Sequence, residues 1–158
     1  MRLKHLLAAM ALLSTSALAD EELKPAQEEA KTSFEESISS PLEATNAACG
    51  TKLTVKTDFQ NFKPEEWDRT SHSSYCEEVL SGIRSMCERP AYKKAIAKKV
   101  TGVACVFEGV KPANKKEGNN DTVQRNISLE KGVLTYHMQV GHANISDNTK
   151  ASLQKALN

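Results

Sequence analysis

Apolar and polar side chains alternate between residues 51 and 59. Leu53, Val55, Thr57 and Phe59 fall on one side, and Lys52, Lys56 and Asp58 take or flank the other. That period of two predicts a half-buried strand. Residues 64–67 read as a single helical turn carrying Trp67, the only tryptophan. From residue 74 the period changes. Ser74 and Glu77 form a capping-box pair, and Cys76, Leu80, Ile83 and Cys87 recur at i, i+4, i+7 and i+11, widened by Val79 and Met86. This is the apolar stripe of a helix over 74–87. Pro90 breaks it and opens another helix over 90–99, with Tyr92 and Ile96 inward and the lysines outward. Residues 100–108, β-branched and apolar, predict a central strand.

The rest of the chain is punctuated by turn and cap signals. Residues 111–122 are rich in lysine, asparagine, proline and glycine and read as a loop. The runs 123–131 and 133–140 flank Lys131-Gly132 and predict a hairpin. Ser146 or Asp147 then starts a last helix to about residue 157. Upstream, Ser40-Pro41-Leu42-Glu43 reads as a helix start and Gly50 as a stop, giving a helix over 41–49. Residues 20–39 carry only a thin stripe of Ala30, Phe34 and Ile38. They read as a solvated acidic linker, or as an arm docking through Phe34 and Ile38. The fold expected from this order is α+β, with a mainly antiparallel sheet of about four strands, packed helices and two disulfides.

The first 19 residues stand apart. Arg2 and Lys4 precede an apolar run, LLAAMALL, and Ala17-Leu18-Ala19 is a small-x-small ending. This is the pattern of a cleavable secretory signal. The run is too short for the roughly 20 residues of a spanning helix, and mean hydropathy is −0.48. The organisation read from the sequence is a signal at 1–19, an acidic linker or arm at 20–39, and one globular domain at 40–158. The alanine-rich leader has a bacterial look, which makes the sequons at Asn120, Asn126 and Asn144 accidental. The expected compartment is periplasmic or extracellular, with no membrane insertion after cleavage.

Export changes the meaning of the four cysteines, Cys49, Cys76, Cys87 and Cys105. An even count in an oxidising compartment predicts disulfides, and no C-x-x-C redox or zinc pattern occurs. Cys76 and Cys87 sit on one predicted helix about 16 Å apart, beyond the ~7 Å a bridge allows. Two pairings remain. A helix packed antiparallel after the first strand favours Cys49–Cys87 with Cys76–Cys105 over Cys49–Cys76 with Cys87–Cys105.

Export also changes the charge. The net +1 of the whole chain includes Arg2 and Lys4. Residues 20–48 hold eight acidic side chains against Lys24 and Lys31, a net of −6, while residues 49–158 hold 17 basic and 12 acidic ones, a net of +5. An acidic arm precedes a basic body. The basic clusters are Lys93, Lys94, Lys98 and Lys99, and Lys111, Lys115 and Lys116. Aromatics do not interleave with them, so single-stranded nucleic acid is not the expected partner.

Catalytic signals are sparse. His72, His137 and His142 are the histidines beyond the leader. No nucleophile elbow, glycine-rich phosphate loop or ligand-spaced metal motif accompanies them; no cofactor or metal is expected. The reading is a small exported, non-enzymatic binding protein whose seven lysines meet an anionic protein or cell-envelope partner. The alternatives are a small secreted hydrolase using His72 or His137, and an inhibitor of a secreted enzyme.

Overall fold

The computed structural model describes residues 22–67, 71–107 and 119–158. Helix α1 spans Pro25–Cys49 and strand β1 Thr54–Thr57, followed by a 3-10 turn at Phe59–Asn61. Helices α2 (Pro64–Trp67), α3 (His72–Met86) and α4 (Pro90–Lys99) lead to strand β2 (Gly102–Val106). Helix α5 (Asn119–Arg125), strands β3 (Ile127–Glu130) and β4 (Val133–His137), and helix α6 (Ile145–Leu157) complete the order. The four strands form one sheet in the order β1-β2-β4-β3.

The sheet is mixed and mostly parallel, which corrects the antiparallel expectation. Strand β1 runs parallel to β2, and β2 parallel to β4; only the β3–β4 hairpin is antiparallel. The physical reason lies in the connections. Helices α2, α3 and α4 separate β1 from β2, and α5 and β3 lie between β2 and β4. Crossovers of that length return the chain to the same edge and make neighbours parallel. The hairpin is a local signal, and it describes one strand pair only.

Strand register defines the buried face. Val55, Val103 and Leu134 lie side by side, as do Thr57, Cys105 and Tyr136, and Leu129 and Ile127 extend the two rows. Against this face lies a helical layer in which α3 packs on both α1 and α6. The α3–α6 crossing is close because Gly82 lacks a side chain: a Cβ there would stand 2.7 Å from the Ser146 carbonyl oxygen and 2.9 Å from Thr149 Cβ. The start of α6 is tied to α3 by the Ile145 amide, which donates to Glu78 Oε2 at 3.1 Å.

Helix α1 runs through Pro41 rather than starting there. Ala30, Phe34, Ile38, Thr45 and Cys49 are all buried, so the apolar stripe continues at helical spacing on both sides of the proline. An interior proline costs about 3 kcal/mol. Burial of one uninterrupted face against α3 and the 3-10 turn offsets it, and Thr45 Oγ1 donates to the Pro41 carbonyl at 2.8 Å. The true start lies near Lys24, whose amide donates to Gln27 Oε1 at 2.9 Å. The helix ends at Gly50, whose φ of 68° is the left-handed value glycine adopts freely. Asn46 then steers the exit: its Oδ1 accepts from the Leu53 amide at 2.7 Å and the Thr51 hydroxyl at 2.8 Å.

Other boundaries also differ from expectation. Helix α3 begins at His72, with Ser74 Oγ donating to the Ser71 carbonyl at 2.7 Å rather than opening a capping box. Helix α5 takes the end of the stretch read as a loop and the first three residues of the stretch read as the first hairpin strand, so β3 starts only at Ile127. Cys49 is bonded to Cys87 and Cys76 to Cys105, with Cα separations of 5.2 and 5.9 Å. One bridge joins the ends of α1 and α3; the other joins the start of α3 to β2. Among the described residues no helix is long and apolar enough to cross a membrane.

Candidate functional site

Helix α4 holds four of the seven lysines singled out by the sequence. Proline at its first position and Ile96, its buried anchor, set the helix on the body. Lys93, Lys94, Lys98 and Lys99 are exposed, and α4 contains no acidic residue. Arg89, just before it, stacks over the Tyr92 ring at 4.3 Å. Lys99 also serves the neighbouring helix, since its Nζ donates to the Leu157 carbonyl at 3.4 Å, at the end of α6 where helix carbonyls lack partners. Lys111, Lys115 and Lys116 lie outside the described residues.

The fold adds two lysines that linear clustering does not reveal. The parallel strands all start at the end of the molecule where α4 finishes: Thr54, Gly102 and Val133 are aligned, and the Thr101 amide donates to the Gly132 carbonyl at 2.8 Å. Lys52 precedes β1 and Lys131 occupies the β3–β4 turn, so both join the same rim, and both are exposed. Glu130, next to Lys131, borders it. The signal that could have found them is the parallel topology, which gathers strand starts at one edge.

The acidic half of α1 points to the other end. Gln27 Nε2 donates to the Gln60 carbonyl at 2.9 Å, and Phe34 meets Phe59 edge to face with centroids 5.5 Å apart. Glu28, Glu29, Glu35 and Glu36 are exposed there. The arm thus docks through aromatic and amide contacts, and the lysine rim and the glutamates of α1 sit at opposite ends of the sheet.

His72 is half-buried in an aromatic cluster. Phe34, Phe59, Phe62, Trp67 and Phe107 surround it with centroids 5.2 to 6.4 Å away. These are all four phenylalanines and the one tryptophan of the chain. Its Nε2 lies 3.1 Å from the Ala30 carbonyl oxygen, to which it donates. That geometry uses the imidazole to pin α1. His137 stands in β4 opposite Val106, and its amide donates to the Asn126 carbonyl at 2.9 Å.

The histidine with the more unusual surroundings is His142, which the sequence offers only as a loop residue. It is 8% exposed, and its Nδ1 lies 2.8 Å from the Tyr136 hydroxyl. Burial holds the imidazole below its ordinary pKa. Burial, with Tyr75 and Glu78 nearby, drives the Tyr136 phenol above its ordinary range. The loop is fixed by the Gly141 amide, which donates to the Tyr75 hydroxyl at 3.1 Å. Both partners are neutral, and the pair holds the β4–α6 connection shut. Among the described residues no cluster of three histidine, cysteine, aspartate or glutamate side chains could hold a metal ion. Asn126 is 2% exposed and donates to the Thr122 carbonyl at 3.0 Å, a placement that cannot carry a glycan.

No family model, curated protein or solved structure matches this chain.

Proposed function

We propose that this chain is an exported, non-enzymatic binding module that engages an anionic partner through the lysine rim of Lys93, Lys94, Lys98 and Lys99, extended by Lys52 and Lys131. The observation that carries the reading is an exposed helix, α4, with four lysines and no carboxylate, set at the opposite end of the sheet from the acidic half of α1. Like charges gathered on one rim create a local potential that steers anions more strongly than the overall charge indicates. Two buried disulfides support an oxidising compartment. A structural role for His72 is favoured over the hydrolase alternative, since aromatic rings pack around its half-buried ring and the Ala30 carbonyl accepts from its Nε2.

The test is retention of the full chain on the cell-envelope fraction of a source bacterium, across a salt series. The triple charge reversal Lys93→Glu, Lys94→Glu and Lys98→Glu is compared with a control reversal of Lys24, Lys56 and Lys63, which are exposed elsewhere. Retention that falls with salt and is lost only in the α4 variant supports the reading. Equal loss in both variants, or retention indifferent to salt, overturns it.

A further inference from the structure

The corner where α1 ends, β1 begins and α4 crosses is built from two stretches of chain without a carboxylate. Residues 44–57 hold Lys52 and Lys56, residues 89–107 hold Arg89 and the four α4 lysines, and neither stretch contains an aspartate or glutamate. Packing brings the two together. A Cβ on Gly50 would lie 3.9 Å from Lys93 Cε, so the Lys93 stem runs past Gly50, two residues before Lys52. The Cys49–Cys87 bridge ties the residue before Gly50 to the chain just ahead of α4. The other end of the rim is different. There Lys131 sits next to the exposed Glu130, and Lys99 is tied to the Leu157 carbonyl. Glu88 shares a groove between α3 and α6 with Lys150.

Helix α4 spreads its lysines around its surface rather than in one plane. With Ile96 facing the body, a rotation of about 100° per residue puts Lys94 and Lys98 on the outer crest, each about 160° from Ile96. The same rotation puts Lys93 about 60° from Ile96, on the flank towards Gly50. Exposed Ala97 lies between Lys93 and Lys94 around the helix and keeps the surface shallow there. From Lys98 over the crest to Lys93 is about 15 Å along the helix surface, with Lys52 beyond. A flat surface resting on the crest leaves Lys52 behind the shoulder of the helix, and one small anion covers only part of the distance. A flexible chain of anions can follow all four charges. Each is a lysine, a point charge that takes an anion without fixed geometry.

We propose that the anionic partner is a linear polyanion, which crosses α4 over Lys98 and Lys94 and descends past Lys93 to Lys52. That assignment rests on the lysine-rim reading and narrows it to one class of partner and one direction. Once the first charge is engaged, the next contacts form within the same complex, so affinity should grow with chain length until the chain reaches Lys52.

The experiment titrates the full mature chain with inorganic phosphate, tripolyphosphate and long-chain polyphosphate, and with vesicles of anionic phospholipid, at matched phosphate concentration. Binding per phosphate should be at least about tenfold tighter for the long chain than for tripolyphosphate. Lys52→Gln should weaken the long chain several-fold and leave tripolyphosphate nearly unchanged. Lys131→Asn removes the same charge at the other end, suits the left-handed backbone of that position, and should change neither. Equal affinity per phosphate at all lengths, tighter binding to vesicles, a long-chain complex indifferent to Lys52→Gln, or equal weakening by Lys131→Asn overturns the proposal. Long-chain binding that survives Lys52→Gln but is lost on reversing the α4 lysines overturns it and leaves the rim reading standing. Absence of binding to every probe overturns it as well, and the envelope-fraction test then decides the rim reading by itself.

Discussion

The Tyr136 hydroxyl and Nδ1 of His142 share a hydrogen bond of 2.8 Å, with the two rings stacked at 29° and their centroids 5.8 Å apart. Nε2, on the other side of the ring, is buried without a partner among the described residues. A charged imidazole would place a second N–H and a full charge in that setting.

Stability should therefore fall as the solution becomes acidic. The folded His142 pKa lies below the ordinary ~6.5 of the unfolded chain. Above ~6.5 both states are neutral and nothing is lost. Below it the unfolded chain takes up a proton that the folded chain refuses, so stability drops until pH reaches the folded value. Chemical-denaturation midpoints of wild type and His142→Gln, measured between about pH 7 and pH 5, should diverge in slope, with the variant flatter. Parallel curves would show that His142 is not the group responsible.

Removing only the hydroxyl isolates the bond. Tyr136→Phe keeps the ring but leaves His142 Nδ1 without its hydrogen-bond partner. The expected loss is about 1–3 kcal/mol, read by urea denaturation. A loss below about 0.5 kcal/mol would mean that water takes over the role of the hydroxyl.

Phe34 decides whether the acidic arm belongs to the fold. It is 3% exposed and contacts both Phe59 and His72. Phe34→Ala should cost about 3–5 kcal/mol, whereas the exposed neighbour change Glu35→Ala should stay within about 0.5 kcal/mol. A solvated linker would tolerate both equally. Protease cleavage within residues 25–40 offers a second readout, since Phe34→Ala should make that stretch easier to cut.

Gly82 tests the helix crossing. Alanine raises intrinsic helix propensity by about 1 kcal/mol, yet its Cβ would collide with the Ser146 carbonyl and Thr149. Gly82→Ala should be net destabilising, by about 1–3 kcal/mol of overpacking, and thermal unfolding will show the sign. A stabilised variant would mean that α6 can shift outward at little cost.

What can be read from the sequence depends on whether the signal is local. The stripe Cys76, Leu80, Ile83 and Cys87 belongs to one helix, and its rise alone rules out a bridge between its own cysteines; α4 and its lysines are visible for the same reason. The sheet is misjudged because strand order is set by long crossovers, and the one conspicuous pair, around Lys131-Gly132, is its only antiparallel pair. Pattern reading cuts helix α1 at Pro41 because proline at a helix start is common, while the stripe that overrides it needs α3 and the 3-10 turn to bury against. Lys52 and Lys131 escape notice as rim residues because 79 positions of chain separate them. The Tyr136–His142 bond depends on how the loop after β4 folds back, which no spacing encodes.

The two bridges cross in sequence: Cys76 lies inside the segment closed by Cys49–Cys87, and Cys105 lies outside it. A chain threaded from its N-terminus into an oxidising compartment would present Cys49 and Cys76 first, and joining cysteines in order of arrival would trap the wrong pair. Correct bonding must wait until Cys87 has emerged and α3 has carried Cys76 away from Cys49, or must be edited afterwards by thiol exchange. Maturation of this small protein should accordingly depend on a disulfide-shuffling catalyst more than on an oxidant alone.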